Sequence, residues 1–324
     1  MHSSLIPPHP NFKVRDCLEN TAGLSGALRR YLCSQDPDFE ILRVIRDKYP
    51  RLVMRVRVRD RDCLVKAVRK NTPWKRPGRY FRFQKEIFVY TRLQNLDFLF
   101  FRHPELLHTD GKSYIISEYI QDDPSLPKDP AFFSRAIKAV AELNACDFPY
   151  ADKGGPGWFW EKFNRWKFSR TTKTLRNLME GFFIRRTVSV SVFVRSLAFW
   201  RKAAAGVKAL DKPVLLHRDV FKANILYSHL DGINFIDFEK AGLEKRWIFS
   251  DALKIAQAEP LYFSQDAGGY AGFPRFYTSL LENYWNEFKI RRPGFKPGPD
   301  DYKMQQKFCL LGWTLKKLVK ERPS

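Results

Sequence analysis

A chain of 324 residues with 44% hydrophobic side chains holds enough apolar material for a packed core, which excludes general disorder, and its length points to two domains or one domain of two lobes. The 57 Lys and Arg against 35 Asp and Glu leave a net charge of +22, which predicts an anionic partner: a phosphate ligand, an acidic lipid or a nucleic acid. The five cysteines (Cys17, Cys33, Cys63, Cys146 and Cys309) include no C-x-x-C pair, which disfavours a disulfide framework or a zinc knuckle and fits a reducing cytosol.

Residues 1–37 read as a loose basic extension with a short helix near 24–33. From 38 to 120 the pattern is that of a small lobe. A run rich in Ile, Leu and Val at 39–49 precedes 52–59, where Met54, Val56 and Val58 alternate with Arg55, Arg57 and Arg59. A third run covers 63–68, and the short connections predict antiparallel hairpins. A helix is expected over 80–96, with Phe83, Ile87, Tyr90 and Leu93 on one face. Strands at 105–108 and 114–120 surround the turn Asp110-Gly111. The Pro-rich stretch 121–130 reads as a linker. The large lobe then spans 131–324, with helices at 131–144 and 158–210, short strands at 225–227 and 233–236, and helices from 250 onward. This is a two-lobed α+β architecture. No apolar signal region opens the chain, and no stretch reaches the roughly 18 apolar residues of a membrane span. The nearest, 182–200, is interrupted by Arg185, Arg186 and Arg195.

The chemistry concentrates at His217-Arg218-Asp219-Val220-Phe221-Lys222-Ala223-Asn224, followed 13 residues beyond the Asn by Asp237 after an apolar strand. The pattern His-x-Asp-x-x-x-x-Asn followed by Asp resembles the catalytic and metal-binding loops of the protein-kinase-like fold. Phosphoryl transfer is mostly positioning and charge neutralisation. Asp219 can accept the hydrogen bond of an attacking hydroxyl, while Asn224 and Asp237 offer hard oxygen ligands for Mg²⁺ on the ATP phosphates. His217 reads as scaffold rather than base. In the small lobe, Lys66 stands on the third strand, and Glu86 lies inside the apolar stripe of the following helix. A carboxylate facing a core is costly unless paired, which makes Lys66 its natural partner. The first hairpin lacks a Gly-x-Gly-x-x-Gly cradle, so Lys48, Arg51 or other side chains would have to serve instead. Only 13 residues separate Asp237 from Asp251, with no Ala-Pro-Glu, which does not fit a protein-kinase activation segment.

These residues make the chain resemble the aminoglycoside phosphotransferase and choline kinase group of small-molecule kinases, and more distantly the lipopolysaccharide kinases. The resemblance implies a protein-kinase-like fold, ATP and Mg²⁺ as cofactors, and a nucleotide lying between the lobes. Its adenine would sit near Glu118 and Ile120, its phosphates on Lys66 braced by Glu86, its metal on Asn224 and Asp237, with Asp219 catalytic. His217 and Asp251 would support the loop.

An insertion at 150–210 is expected to carry the substrate preference. Between Lys162 and Leu210 there are 12 Lys and Arg and one acid, Glu180, with Trp158, Phe159, Trp160, Phe163, Trp166 and Phe168 nearby. The reading is a core stripe with a solvated basic back, a pocket for an anionic acceptor, or an element that touches acidic lipid. A polycationic aminoglycoside would be repelled. The expected function is phosphorylation of a hydroxyl on a small molecule or glycoconjugate, anionic and in one reading membrane-borne, in the cytoplasm or at the inner face of the membrane. A pseudokinase scaffold is the alternative, followed by binding to acidic lipid or nucleic acid. No recognised motif supports nucleic acid.

Overall fold

The computed structural model describes residues 26–48, 50–69, 75, 77–126, 129–148, 170–207, 210, 212–229, 232–258, 273–295 and 301–320. They fall into two compact units. The first holds the described residues up to Thr91 together with Pro104–Tyr119, and the second holds Arg92–His103 and the described residues from Ile120 onward.

In the first unit, α1 (Gly26–Gln35) precedes a sheet built from β1 (Glu40–Lys48), β2 (Arg51–Val58), β3 (Arg61–Val68), β4 (Leu106–Thr109) and β5 (Tyr114–Glu118), with α2 (Pro77–Leu93) between β3 and β4. The strand order is β1-β2-β3-β5-β4, antiparallel throughout. The alternation in β2 sets the register: Leu52, Met54 and Val56 stand opposite Ala67, Val65 and Cys63, and all six are buried. A slip by one residue would place Arg55 and Arg57 in that core. Leu28 and Leu32 of α1 pack into the same cluster. The stretch 26–37 therefore belongs to this unit rather than to a loose extension. Two leucines four apart on one helical face close the sheet. Lys66 points to the other face of β3, opposite Ile115. Phe83, Ile87, Tyr90 and Leu93 of α2 are buried, as the helical spacing predicts.

The second unit is mainly helical. Its centre is α3 (Pro130–Ala145), which carries Pro at its first position and Asp129 as N-cap, the carboxylate accepting the Phe132 N–H. It packs against α6 (Ser250–Ala258) and α7 (Phe273–Arg291). Buried Glu142 accepts the N–H groups of Leu99 and Phe100 at 2.8 and 2.7 Å and pairs with Arg291 at 2.8 Å. Segment 92–103 is thereby held to this unit. The stretch read as a linker is also tied down here. Asp122 accepts the N–H of Tyr227, and the Asp123 N–H donates to the Tyr227 carbonyl, both at 2.8 Å.

The basic insertion is described from 170. It forms α4 (Arg170–Met179), a π-turn at Glu180–Ile184, and α5 (Val190–Gly206), both helices lying against α8 (Asp301–Lys320). Gly181 is required there, since a Cβ would stand 2.9 Å from Val188 Cγ2. The tryptophans and phenylalanines of 158–168, with Lys162 and Arg165, lie outside the described residues. Two small antiparallel pairs complete the unit: β6 (Val214–Leu216) with β9 (Gly242–Glu244), and the hairpin of β7 (Ile225–Ser228) and β8 (Gly232–Phe235) that lies between them in the chain. Among the described residues no helix is long and apolar enough to cross a membrane.

Candidate active site

In the second unit, β6 delivers the chain into a loop clamped from three sides. Asp251, fully buried in the first turn of α6, accepts the N–H groups of His217 and Arg218 at 2.6 and 2.9 Å. The Lys254 ammonium, one turn on, donates to the Arg218 carbonyl. Asn144 of α3 donates to the Leu215 carbonyl at 2.8 Å, and Tyr284 holds that amide from behind at 2.8 Å. Arg218 takes a left-handed backbone (φ 62°), costly for a side chain with a Cβ. Its guanidinium donates to the Leu243 carbonyl at 2.8 Å across Gly242, where a Cβ would come within 2.8 Å of Nη1.

His217 is fully buried between Phe235 and Phe238. Its Nε2 lies 2.9 Å from the Ile236 carbonyl, and its Nδ1 lies 3.3 Å from the Asp219 N–H. One nitrogen must donate and the other accept, which assigns the neutral ring with the proton on Nε2. Burial pushes its pKa below the ordinary histidine value. The ring joins the loop before Asp219 to the strand end before Asp237.

Asp219 leaves this loop with its side chain mostly covered. Asn224 is buried, and its Nδ2 donates to the Asp219 carbonyl at 3.0 Å and lies 3.3 Å from Oδ2. The carbonyl oxygen is therefore the end of that amide not committed to Asp219. The Ile236 N–H donates to the Asn224 carbonyl at 3.1 Å, so the two loops are stitched one residue before Asp237. Asp237 is also left-handed (φ 62°, ψ 63°) and opens a 3₁₀ turn at Phe238–Lys240. That turn returns Lys240 to Asp219, Nζ to Oδ2 at 2.6 Å.

The chain thus brings together Asp219, Asn224, His217 and Asp237, expected from spacing, with Asp251, expected from the resemblance, and adds Lys240, which neither revealed. Two of the four non-glycine residues with positive φ among the described residues, Arg218 and Asp237, fall within this site, where strain is commonly held.

In the first unit, Lys66 Nζ lies 2.6 Å from Glu86 Oε1. The carboxylate is fully buried and the lysine nearly so. Glu118 ends β5, opposite Cys63, and its N–H donates to the Glu105 carbonyl at 2.9 Å. Ile120 begins the second unit, after Tyr119, whose N–H donates to the Asp62 carbonyl. At the first hairpin Lys48 is exposed, whereas Arg51 is buried within β2.

The family model of the phosphotransferase enzymes matches residues 44–248, more than half the chain, and the match takes in both Lys66–Glu86 and the loops around Asp219 and Asp237. No curated protein matches at a significant level. Among solved structures, the chain is similar in fold to a streptomycin–ATP–APH(2'')-IIa ternary complex, at 15% identity over 91% of this chain and 90% of that one, with a TM-score of 0.53. It is similarly related to the macrolide 2'-phosphotransferase MphH from Brachybacterium faecium, at 13% identity over 91% and 92%, with a TM-score of 0.52. With the family model spanning both sets of polar residues and the protein-kinase-like fold shared along the chain, this protein belongs to the phosphotransferase enzyme family and is a kinase of alcohol groups on small molecules.

Proposed function

We propose that the enzyme transfers the γ-phosphoryl group of ATP to a hydroxyl of an anionic small molecule, saccharide or glycoconjugate. The observation that carries this reading is the group Asp219–Asn224–Lys240, a carboxylate held by an amide and an ammonium in a rigid double loop.

The donor set fits Mg²⁺. This ion takes oxygen ligands, commonly one or two carboxylates completed by substrate phosphates and water. Asp237 supplies a carboxylate fixed by its backbone, and Asn224 an amide oxygen turned away from Asp219. When bound, the metal would neutralise phosphate charge. Asp219 accepts the proton of the acceptor hydroxyl as the new O–P bond forms and the bond between the γ-phosphorus and the β–γ bridging oxygen breaks. ADP leaves with that oxygen. Lys240 keeps the Asp219 carboxylate in place and sets a positive charge beside the reacting groups. Lys66, held by Glu86, pairs with the nucleotide phosphates. Glu118 and Ile120 offer the backbone for the adenine.

The acceptor class follows from charge. With a net +22, a polycationic acceptor is repelled and an anionic one is drawn in. A pseudokinase scaffold would have no need to keep Lys66, Glu86, Asp219, Asn224 and Asp237 together with their supports. The test is ATP turnover against pooled anionic sugars, lipid-linked saccharides and polyols, with product masses measured. Gain of one phosphate on an acidic acceptor supports the reading. No turnover with any acceptor, despite nucleotide binding, overturns it in favour of a scaffold.

A further inference from the structure

Half of the large hydrophobic side chains that stand exposed among the described residues lie in one stretch of 16. They are Met179, Phe183, Ile184, Val190, Val192 and Val194. Scattered exposed apolar residues need no explanation, but a concentration of them does. Two of these, Ile184 and Val190, are 73% and 66% exposed, on either side of the turn between the π-segment and α5.

The patch stands on a firm base. Phe182 and Phe193 stack at 4.2 Å, and Phe183 meets Phe193 edge-on at 5.7 Å. Beneath them Leu178, Val188 and Leu315 are buried. On α5, Val190, Val194 and Ala198 recur every four residues and all face outward. Arg185, Arg186, Arg195 and Arg201 are exposed around them. From 170 to 207 there are eight Lys and Arg and a single acid, Glu180, which pairs with Arg185 at 3.5 Å.

We propose that the 183–194 turn and the outward face of α5 dock on an acidic phospholipid bilayer. Apolar tips ringed by cations match both parts of such a surface. Ile184, Phe183 and Val190 can enter the boundary between headgroups and acyl chains, to a depth of about 5–10 Å. The guanidinium groups meet lipid phosphates, for which their planar donor fork is suited. Neither contribution suffices alone, since stable attachment takes an apolar anchor plus a basic patch. A second copy of the chain on this face would set arginines against arginines. Resting on the proposed reaction, this surface would bring the enzyme to lipid-linked acceptors, but docking itself needs no catalysis.

The test is co-sedimentation of the full chain with vesicles of phosphatidylcholine, alone or with about one quarter phosphatidylglycerol, at low salt and at about 0.5 M NaCl, where charge is screened within a few Å. The wild type is expected to bind the acidic vesicles at low salt, and only weakly to bind neutral ones. Ile184→Ser with Val190→Ser, and separately Arg195→Gln with Arg201→Gln, should each lower partitioning about tenfold, since two anchors or two cations are lost. These side chains are exposed and remote in sequence from the loops proposed to react, so thermal melting and turnover on a soluble, uncharged acceptor should be unchanged. Failure of the wild type to bind acidic vesicles, or undiminished binding by the serine variant, overturns the proposal. So does a concentration-dependent dimer that the serine variant abolishes while the wild type ignores vesicles. In each of these cases turnover on a soluble acceptor still reports separately on the phosphotransferase.

Discussion

At the scale of single residues, the proposed chemistry turns on how Asp219 is held. Three neighbours approach it: the His217 ring beneath its N–H, the Asn224 amide and the Lys240 ammonium. Asp219→Asn should lower kcat by about 10²–10⁴-fold, the usual range for a lost general base, while nucleotide still binds in a fluorescence titration. Wild-type turnover in this variant would exclude Asp219 from the reaction. Lys240→Met should lower kcat by about tenfold to a hundredfold with little change in nucleotide affinity, and Lys240→Arg should restore part of it. The spacing of His217, Asp219, Asn224 and Asp237 is legible in the sequence because the loop is local and each residue type is chemically demanding. Lys240 is not legible. Its approach to Asp219 depends on the left-handed backbone at Asp237 and the 3₁₀ turn that follows, across 21 positions of chain. The strain at Arg218 is equally hidden, because what sustains it lies on α6 and β9.

At the scale of elements, the Lys66–Glu86 pair joins β3 to α2. Its burial makes it a structural commitment as well as a site. Lys66→Met leaves a carboxylate in the core without its lysine, which should cost about 3–5 kcal/mol, read as a lower denaturation midpoint. Adding Glu86→Met should recover much of that loss without recovering activity. If the double variant is as unstable as the sum of the single ones, the two side chains are not coupled. The β4–β5 turn makes a pH prediction. Burial alone would raise the Asp110 pKa. The Ser113 hydroxyl and the N–H groups of Ser113, Lys112 and Tyr114 outweigh it, and the carboxyl sits below the usual range. A depressed pKa contributes stability that is present above the unfolded value of about 3.9 and is lost as pH falls through the folded value. Asp110→Asn should therefore lower the melting temperature at neutral pH, with the gap to wild type closing as the solution is acidified below about pH 4. A gap independent of pH would assign the loss to shape rather than charge. The long periodic elements were legible: β2 through its alternation and α2 through its apolar stripe. The β6–β9 pair was not, because three-residue strands carry no period, and their partners are joined only by tertiary packing. The N-terminal helix was recognisable, but not its membership of the sheet's core, since Leu28 and Leu32 are too few to declare a face.

At the scale of the whole molecule, the excess of positive charge is the one property that no single residue carries. A net +22 produces a field that reaches solvent-exposed encounters over about one Debye length, roughly 10 Å at 0.1 M salt. Such a field speeds the approach of anions and does little for neutral molecules. The loops proposed to react are nearly balanced, with Lys240 against Asp219 and Lys254 beside Asp251, so the field does not originate there. It should therefore act on acceptor capture and not on the chemical step. With nucleotide held well above its own KM at every salt, raising NaCl from about 20 to about 300 mM should increase the KM of an anionic acceptor several-fold and leave kcat nearly constant. The neutral methyl ester of the same acceptor should show a KM that does not move. Equal salt slopes for the acid and its ester would mean that the charge serves a different partner, and would remove the reason for choosing an anionic substrate class.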